Sequence, residues 1–318
     1  MRLRRRLRAV RRRLLAPLRQ ARSGPPFDPA DRPMGTIFVG GTGRSGTTIT
    51  SGLLGRHPDW KRLHTEVKFI SNHGGLADLV EGRTTFRRFE RRIMKRWWSR
   101  GERKGLKLIL TRRDIEDALV QLQAGLRTDR ARAAATFAHR LLDPLAEQER
   151  ASGWIEMTPN AALTARTLLR MFPDMKLLHL VRDGRDVACS VLKMSWGPNE
   201  PHAALDWWAR RLEQGFAACE GLPADRVMVM HLEDLVIRDR ERTYDAMLAF
   251  LEMPDQPEMR QFFDTRMPAD AMHSGRWRKD IPTDMQAAFD AHYWELVDRI
   301  TARGFPYRGE PREAAASA

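Results

Sequence analysis

Short apolar runs alternate with longer amphipathic segments along the middle of the chain. Four of these runs, the second weaker than the others, are typical of buried strands and occupy residues 36–39, 153–156, 175–181 and 226–230. Segments with helical spacing separate them, for example residues 206–218 and 240–251. Strands that alternate with helices form a parallel sheet covered on both faces. The pattern therefore predicts a single α/β domain with a central parallel sheet flanked by helices, whose ligands bind at the carboxyl ends of the strands.

Composition divides the chain into three segments. We expect an arginine-rich arm with a Pro/Gly linker at residues 1–33, a folded body at 34–310 and a short flexible tail at 311–318. Residues 1–22 hold ten arginines and no acidic residue, so removing them from the net charge of +14 leaves +4 for the rest. The body is thus mildly basic, which suits an anionic ligand and does not require nucleic acid.

The arm also carries apolar residues at nearly helical spacing. A basic amphipathic helix of this kind can lie on an anionic membrane, and disorder is the alternative. Because the chain has only two cysteines, Cys189 and Cys219, a disulfide scaffold is not expected and a reduced, cytoplasmic setting is favoured. No run of about 18 apolar residues is present, so we expect no membrane-spanning helix.

A glycine-rich segment follows the first strand and precedes a helix, and it reads Gly40-Gly41-Thr42-Gly43-Arg44-Ser45-Gly46-Thr47-Thr48. Glycines let the backbone turn tightly, so that several N–H groups and a helix N-terminus can face one anion. Thr47 and Thr48 would add hydroxyl donors, and Arg44 would add a cation. The segment matches the P-loop pattern G-x-x-x-x-G-K-[ST] except at its lysine, which is Thr47 here. The missing lysine disfavours a nucleoside triphosphatase or kinase, and a glycine turn without a ligand is the remaining alternative.

A second motif begins where the strand at 175–181 ends. Arg182 follows the strand, Asp183 is placed to cap the next helix, and Ser190 lies about two helical turns further on. An arginine and a hydroxyl in this arrangement can hold one phosphate from two sides. An ordinary strand–helix junction with solvated arginines is the alternative.

The two motifs together resemble those of the sulfotransferase family, and the similarity is greatest to the tyrosylprotein sulfotransferases and their bacterial relatives. Residues 52–59, 231–235 and 275–278 also resemble family segments. The resemblance implies a P-loop-type fold and an enzyme that takes the sulfuryl group from 3′-phosphoadenosine-5′-phosphosulfate (PAPS). It also implies a set of donor-binding residues. Gly43, Arg44, Ser45, Gly46, Thr47 and Thr48 would hold the 5′-phosphosulfate, Arg182 and Ser190 the 3′-phosphate, and Gly275 and Arg276 the closing loop.

Glu66 is the expected general base, because it follows the helix of the glycine-rich loop by one short segment and the tyrosylprotein enzymes have a glutamate in nearly this place. Those enzymes have two adjacent glutamates, whereas this chain has one. The alternatives are His64 as the base, or a surface ion pair between Glu66 and Lys68. The family's lysine before Thr-Pro is replaced by Met157, so Arg44, or a lysine from elsewhere in the chain, would have to neutralise the leaving oxygen.

No His, Cys, Asp or Glu cluster has the spacing of a metal site, so no metal is expected. The sequence does not identify the acceptor, because variable loops build acceptor pockets, and a hydroxyl of a carbohydrate, lipid, natural product or peptide tyrosine is left open. The aromatic pairs Trp97-Trp98 and Trp207-Trp208 could line such a pocket or belong to the core. A nucleic-acid-binding function would rest only on the arm, and we do not expect it.

Overall fold

The computed structural model describes residues 34–99, 104–271 and 274–309, so the arm and the tail lie outside the described residues. Five strands form one sheet in the order β2-β3-β1-β4-β5, and all neighbouring pairs are parallel. The strands are β1 (Gly35–Gly41), β2 (Trp60–Arg62), β3 (Gly153–Glu156), β4 (Lys176–Val181) and β5 (Val227–His231). The predicted α/β fold with a parallel sheet is confirmed. The edge strand β2 was not predicted, because three residues of mixed polarity give no strand pattern.

Helices lie on both faces of this sheet. They are α1 (Thr47–Leu54), α2 (Leu76–Val80), α3 (Phe86–Arg91), α4 (Arg112–Gly125), α5 (Arg130–Glu147), α6 (Ala165–Met171), α7 (Gly184–Leu192), α8 (Pro201–Cys219), α9 (Arg240–Leu251), α10 (Pro257–Arg266), α11 (Trp277–Asp280) and α12 (Thr283–Ala302). Short 3₁₀ turns and two π-helical turns, Arg92–Arg96 and Asp234–Arg238, complete the described backbone. No helix in the described ranges is long and apolar enough to cross a membrane.

Alternate strand residues enter separate cores because successive side chains of a strand point to opposite faces. Phe38 and Trp154 belong to a core with residues of α4, α5 and α6. Ile37, Val39 and Leu178 belong to another core, with residues of α1, α9 and α10. A third core joins α7, α8 and α12. The sheet is therefore buried on both sides, and its carboxyl edge is where functional loops can emerge.

The register of the central strands brings the two sequence motifs side by side. In the β1–β4 pair, Gly40 is opposite His179 and Gly41 is opposite Leu180. The glycine-rich loop therefore leaves β1 next to the point where Arg182 follows β4. Because the strands are parallel, both motifs open on the same edge.

Candidate functional site

The loop between β1 and α1 turns sharply through residues with left-handed backbone conformations. The φ angles of Gly43, Arg44 and Gly46 are 95°, 62° and 92°. Gly46 is the N-cap of α1 and has no side chain that could cap the helix. Backbone N–H groups of the first turn are therefore left for another partner. Thr48 and Arg44 are exposed beside them. This end of the loop has the polarity and the donors of an anion-binding site.

The inner side of the loop is fixed by buried polar contacts. The Ser45 hydroxyl is fully buried and lies 2.6 Å from the Thr42 hydroxyl, so Ser45 would reach a ligand through its N–H only. Arg211 on α8 donates from Nε to the Thr42 carbonyl at 2.7 Å and also bonds the Asn160 side chain. Burial lowers the pKa of Arg211 to about 10. Sequence reasoning missed Arg211, because a single arginine on an amphipathic helix gives no sign of the loop it supports.

Direct contacts join the glycine-rich loop to the second motif. Arg44 donates from Nε to the Ser190 hydroxyl at 2.9 Å, and Arg182 donates from Nη1 to the Arg44 carbonyl at 3.3 Å. Arg44 is 146 positions from Ser190 and 138 positions from Arg182 in the chain. Three residues predicted to bind opposite ends of one nucleotide thus lie within reach of a single ligand.

The junction between β4 and α7 is held by acidic residues. Asp183 caps α7, as expected, by accepting a bond of 2.8 Å from the N–H of Arg185. The buried Glu233 accepts the Asp183 N–H at 2.9 Å, and burial raises the pKa of Glu233 to about 7. Arg185 is itself buried and paired with Asp183 and Asp290, at 2.7 and 2.5 Å. Arg185 is therefore a structural arginine, whereas Arg182 contacts the glycine-rich loop through the Arg44 carbonyl.

Asp186 joins the late loop to this junction. Its carboxylate accepts the N–H groups of Gly275 at 2.9 Å and Trp277 at 3.3 Å, and it lies 3.9 Å from Arg182. Burial, followed by the nearby Asp183, raises the pKa of Asp186 to about 6. Gly275 is thus brought to the site. The Arg276 guanidinium instead forms an ion pair with Asp280 at 2.7 Å.

The segment with the expected base lies on the other side of the loop, next to β3. Glu66 is 39% exposed and pairs with Lys68 at 2.8 Å, which is the surface contact that the sequence left open. The buried Glu156 at the end of β3 accepts the N–H groups of Val67 and Thr158, both at 2.9 Å. Burial raises the pKa of Glu156 to about 7, and the nearby Glu66 adds to the rise. The two carboxyl groups are therefore neighbours at the carboxyl edge of the sheet.

His64 and Met157 complete this side of the cleft. His64 is exposed, and its pKa is lowered by partial desolvation and then by Lys61 and Arg62. Met157 is buried, and its sulfur accepts hydrogen bonds from the Ser51 hydroxyl at 3.1 Å and from Arg62 at 3.5 Å. A cation therefore lies beside the position where the family resemblance led us to expect a lysine.

The aromatic pairs divide between core and cleft. Trp97 and Trp208 are buried in the cores. Trp207 lies over the guanidinium of Arg211 and packs against Trp196 at a ring separation of 5.8 Å. Trp196 is 58% exposed. Among the described residues, no group of three His, Cys, Asp or Glu side chains is arranged to hold a metal ion.

Comparisons with known proteins agree with this arrangement. A profile described as "Sulfotransferase family" matches residues 36–257. Protein-tyrosine sulfotransferase 1 of Danio rerio is 28% identical over 229 residues, which are 70% of this chain and 55% of that protein. Protein-tyrosine sulfotransferase of Drosophila melanogaster is 25% identical over 230 residues, which are 70% of this chain and 39% of that protein. The chain thus spans about half the length of these relatives, or less.

A solved structure supports the fold independently. The sulfotransferase domain of the Synechococcus PCC 7002 olefin synthase superposes with a TM-score of 0.52 and 18% identity. The match covers 84% of this chain and 94% of that one. At this identity the similarity establishes the arrangement of strands and helices, and it adds nothing about the substrate.

Replacing Gly46 by alanine should damage the loop more than strain alone would. A Cβ at Gly46 would lie 2.6 Å from the side chain of the buried Leu232, whereas a Cβ at Gly82 has no described atom within 4 Å. Both glycines have positive φ angles, 92° and 75°. We expect Gly82→Ala to cost about 1 kcal/mol in free energy of unfolding. Gly46→Ala should cost about 1–3 kcal/mol more, because it overpacks the core. Urea unfolding measures both costs, and equal costs would contradict the packing argument.

The buried Glu156 should make stability depend on pH. Because its pKa rises from 4.5 to about 7 on folding, its contribution is complete below pH 4.5 and is lost as the pH rises through 7. The wild type should therefore lose stability relative to Glu156→Gln from about pH 5 to about pH 7.5, by up to about 1 kcal/mol per pH unit. Urea unfolding at several pH values gives this difference, with the exposed Glu90→Gln as the control. A difference that is constant with pH would show that Glu156 titrates normally.

Proposed function

Since this chain belongs to the sulfotransferase family and is therefore a transferase, we propose that it transfers the sulfuryl group of PAPS to an acceptor hydroxyl. The observation that carries the proposal is the hydrogen bond between Arg44 and Ser190 at 2.9 Å. It joins the loop suited to a 5′-phosphosulfate to the motif suited to a 3′-phosphate. A nucleotide with anionic groups at both ends fits this pair of motifs better than a nucleoside triphosphate does.

The donor set suits the two ends of PAPS. The N–H groups at the start of α1, with Thr47, Thr48 and Arg44, would hold the 5′-phosphosulfate. Arg182 and Ser190 would hold the 3′-phosphate, and Gly275 lies beside them through its bond to Asp186. Since the loop has Thr47 in place of the P-loop lysine, it lacks the main contact to the β- and γ-phosphates of ATP.

Sulfuryl transfer is a single displacement at sulfur in which the protein has three roles. The acceptor oxygen attacks sulfur in line, a new O–S bond forms, and the bond from sulfur to the bridging oxygen breaks. Its electron pair stays on that oxygen, which becomes part of the product 5′-phosphate. The protein must accept the acceptor's proton, align the two oxygens and stabilise the charge on the leaving oxygen.

We assign the proton acceptor to Glu66. It is partly exposed at the carboxyl edge of the sheet, and its backbone neighbour Val67 is held by Glu156 at 2.9 Å. The Glu66 side chain remains 39% exposed beside Lys68, so its carboxylate is accessible to an acceptor hydroxyl. His64 is the alternative base in the same segment, and its lowered pKa keeps it neutral and able to accept a proton.

Four classes of compound could supply the acceptor hydroxyl: a carbohydrate, a lipid, a natural product or a peptide tyrosine. The names of the two relatives identify protein tyrosine as an acceptor of those enzymes, so a tyrosine peptide is the first compound to test. Labelled PAPS with a tyrosine peptide, a simple phenol and fractionated cell extract would identify the labelled product.

We also infer a cytoplasmic location, since both cysteines are free. Contact of residues 1–22 with an anionic membrane remains part of this proposal.

Adenosine 3′,5′-bisphosphate (PAP) should bind much more tightly than AMP. The 3′-phosphate gains charge-assisted bonds from Arg182 and Ser190, each on the order of 1.5–3 kcal/mol, which corresponds to about tenfold or more in Kd. Calorimetry with both nucleotides measures the ratio. Arg182→Met and Ser190→Ala should weaken PAP binding and leave AMP binding nearly unchanged. Equal affinity of the wild type for PAP and AMP would overturn the 3′-phosphate assignment.

Glu66→Gln should lower kcat while leaving PAP affinity nearly unchanged. Glutamine keeps the shape of the side chain and removes its basicity, and loss of a general base typically costs about 10²–10⁴ in rate. The measurement is transfer from labelled PAPS to whichever acceptor is found, beside calorimetry with PAP.

Two controls separate the base from a surface ion pair. Glu252 pairs with Lys176 at 2.7 Å at the opposite end of the sheet, so Glu252→Gln should leave kcat unchanged. Lys68→Met breaks the ion pair but keeps the carboxylate, so it should cost far less than Glu66→Gln. If the Glu66→Gln variant keeps the wild-type kcat and the His64→Ala variant loses it, the base is His64. Normal rates in both would exclude this segment.

A further inference from the structure

A half-buried arginine lies beside the glycine-rich loop, on the side away from Arg182. Arg62 ends β2, and its Cβ packs so closely on α1 that a Cβ on Gly55 would lie 2.5 Å from it. The side chain runs back along the helix, donates from Nε to the Ser51 hydroxyl at 3.1 Å and reaches the Thr48 carbonyl at 3.4 Å. Its guanidinium therefore lies against the first turns of the helix whose N-terminus faces the cleft.

Among the residues that the structure describes, this arginine has no counter-ion. Within the described residues no Asp or Glu forms an ion pair with Arg62, and its contacts are a hydroxyl, a carbonyl and the Met157 sulfur. Partial burial, followed by the nearby Arg56, lowers the pKa of its guanidinium. The buried Arg185, in contrast, is neutralised by Asp183 and Asp290. A desolvated cation without a partner is costly, and a nearby anion would relieve that cost.

The strand order indicates which part of the donor would meet this cation. Arg182 and Ser190 follow β4, the glycine-rich loop follows β1, and Arg62 is the last residue of β2, on the far side of β3. A nucleotide with its 3′-phosphate at β4 and its 5′-phosphate at β1 directs the sulfuryl end towards β3 and β2. Arg62 is on that side, together with Glu66.

We propose that Arg62 stabilises the negative charge that develops on the leaving oxygen of the donor, the task that Met157 cannot perform. This inference rests on the proposed sulfotransferase function. The electron pair of the breaking S–O bond stays on the bridging oxygen, and the acceptor's proton goes to Glu66. Arg62 keeps its own proton throughout and contributes charge and hydrogen-bond donors.

The nearness of Arg62 to Met157 allows the charge to be moved in a test. The Arg62 Nη2 atom lies 3.5 Å from the Met157 sulfur, so a lysine at position 157 would carry its ammonium to the same part of the cleft. Four full-length variants are compared: Arg62→Gln, Arg62→Lys, Met157→Lys and the double variant Arg62→Gln/Met157→Lys. Arg56→Met is the matched control, because Arg56 is an exposed arginine near the end of the same helix.

Arg62→Gln should lower kcat by about 10²–10³-fold, as for the loss of a charge-stabilising donor. It should weaken PAP binding by about tenfold, because the 5′-phosphate of PAP contains the leaving oxygen. Arg62→Lys and the double variant should each recover at least about tenfold of the lost kcat and most of the PAP affinity. Arg56→Met should match the wild type. Thermal unfolding of each variant shows whether it folds.

A merely structural role for Arg62 would not be rescued by a charge at position 157. If the double variant is as slow as Arg62→Gln, or if Arg62→Gln keeps the wild-type kcat, the inference is wrong. Should Arg62→Gln fail to fold, Arg62→Lys and the double variant decide the question, since both retain a cation. A wild type that binds PAP no better than AMP would instead overturn the proposed function, and the inference with it.

Discussion

Loops that leave a parallel sheet carry backbone N–H groups that neither strand nor helix ladders can pair, and here buried carboxyl groups pair them. Glu156 accepts the N–H groups of Thr158 and Val67. Glu233 accepts that of Asp183, and Asp186 accepts that of Gly275. An unpaired buried N–H costs about as much as a lost hydrogen bond, so these acids fix the loops in place. The segment with Glu66, the β4–α7 junction and the late loop are each held by one of them.

The same arrangement shapes the charge of the cleft. The supporting acids lie behind the loops, and burial raises their pKa values, to about 7 for Glu156 and Glu233 and about 6 for Asp186. At neutral pH Glu156 and Glu233 therefore carry only part of a negative charge, whereas Asp186 is mostly ionised and lies 3.9 Å from the Arg182 guanidinium. Arg44 and Arg62 lie nearer the surface of the cleft and form no ion pair with a described acid. The carboxyl groups that accept backbone hydrogen bonds therefore lie behind the loops, and the arginine side chains lie nearer the cleft. This arrangement suits an anionic nucleotide.

Most of the candidate site lies in the part of the chain that is similar to known sulfotransferases. The part of the chain that the sulfotransferase family profile matches, residues 36–257, contains the glycine-rich loop, the β4–α7 junction and the segment with Glu66. Met157, which stands where the family resemblance led us to expect a lysine, lies inside that part and contacts Arg62 on the neighbouring strand. Position 62 ends β2 and position 157 directly follows β3, the strand with which β2 pairs.

The sequence by itself determined the class of fold, the glycine-rich loop, the Asp183 cap, strand β3 at 153–156 and helix α9 at 240–251. These features depend on local spacing of apolar residues, on glycine and on capping chemistry, which neighbouring residues alone specify. Only the tertiary structure decided that the Ser45 hydroxyl faces inward, that Arg211 supports the loop and that Arg62 lies beside Met157. Those contacts join residues far apart in the chain. Their partners are selected by strand order and helix packing, which no local pattern encodes.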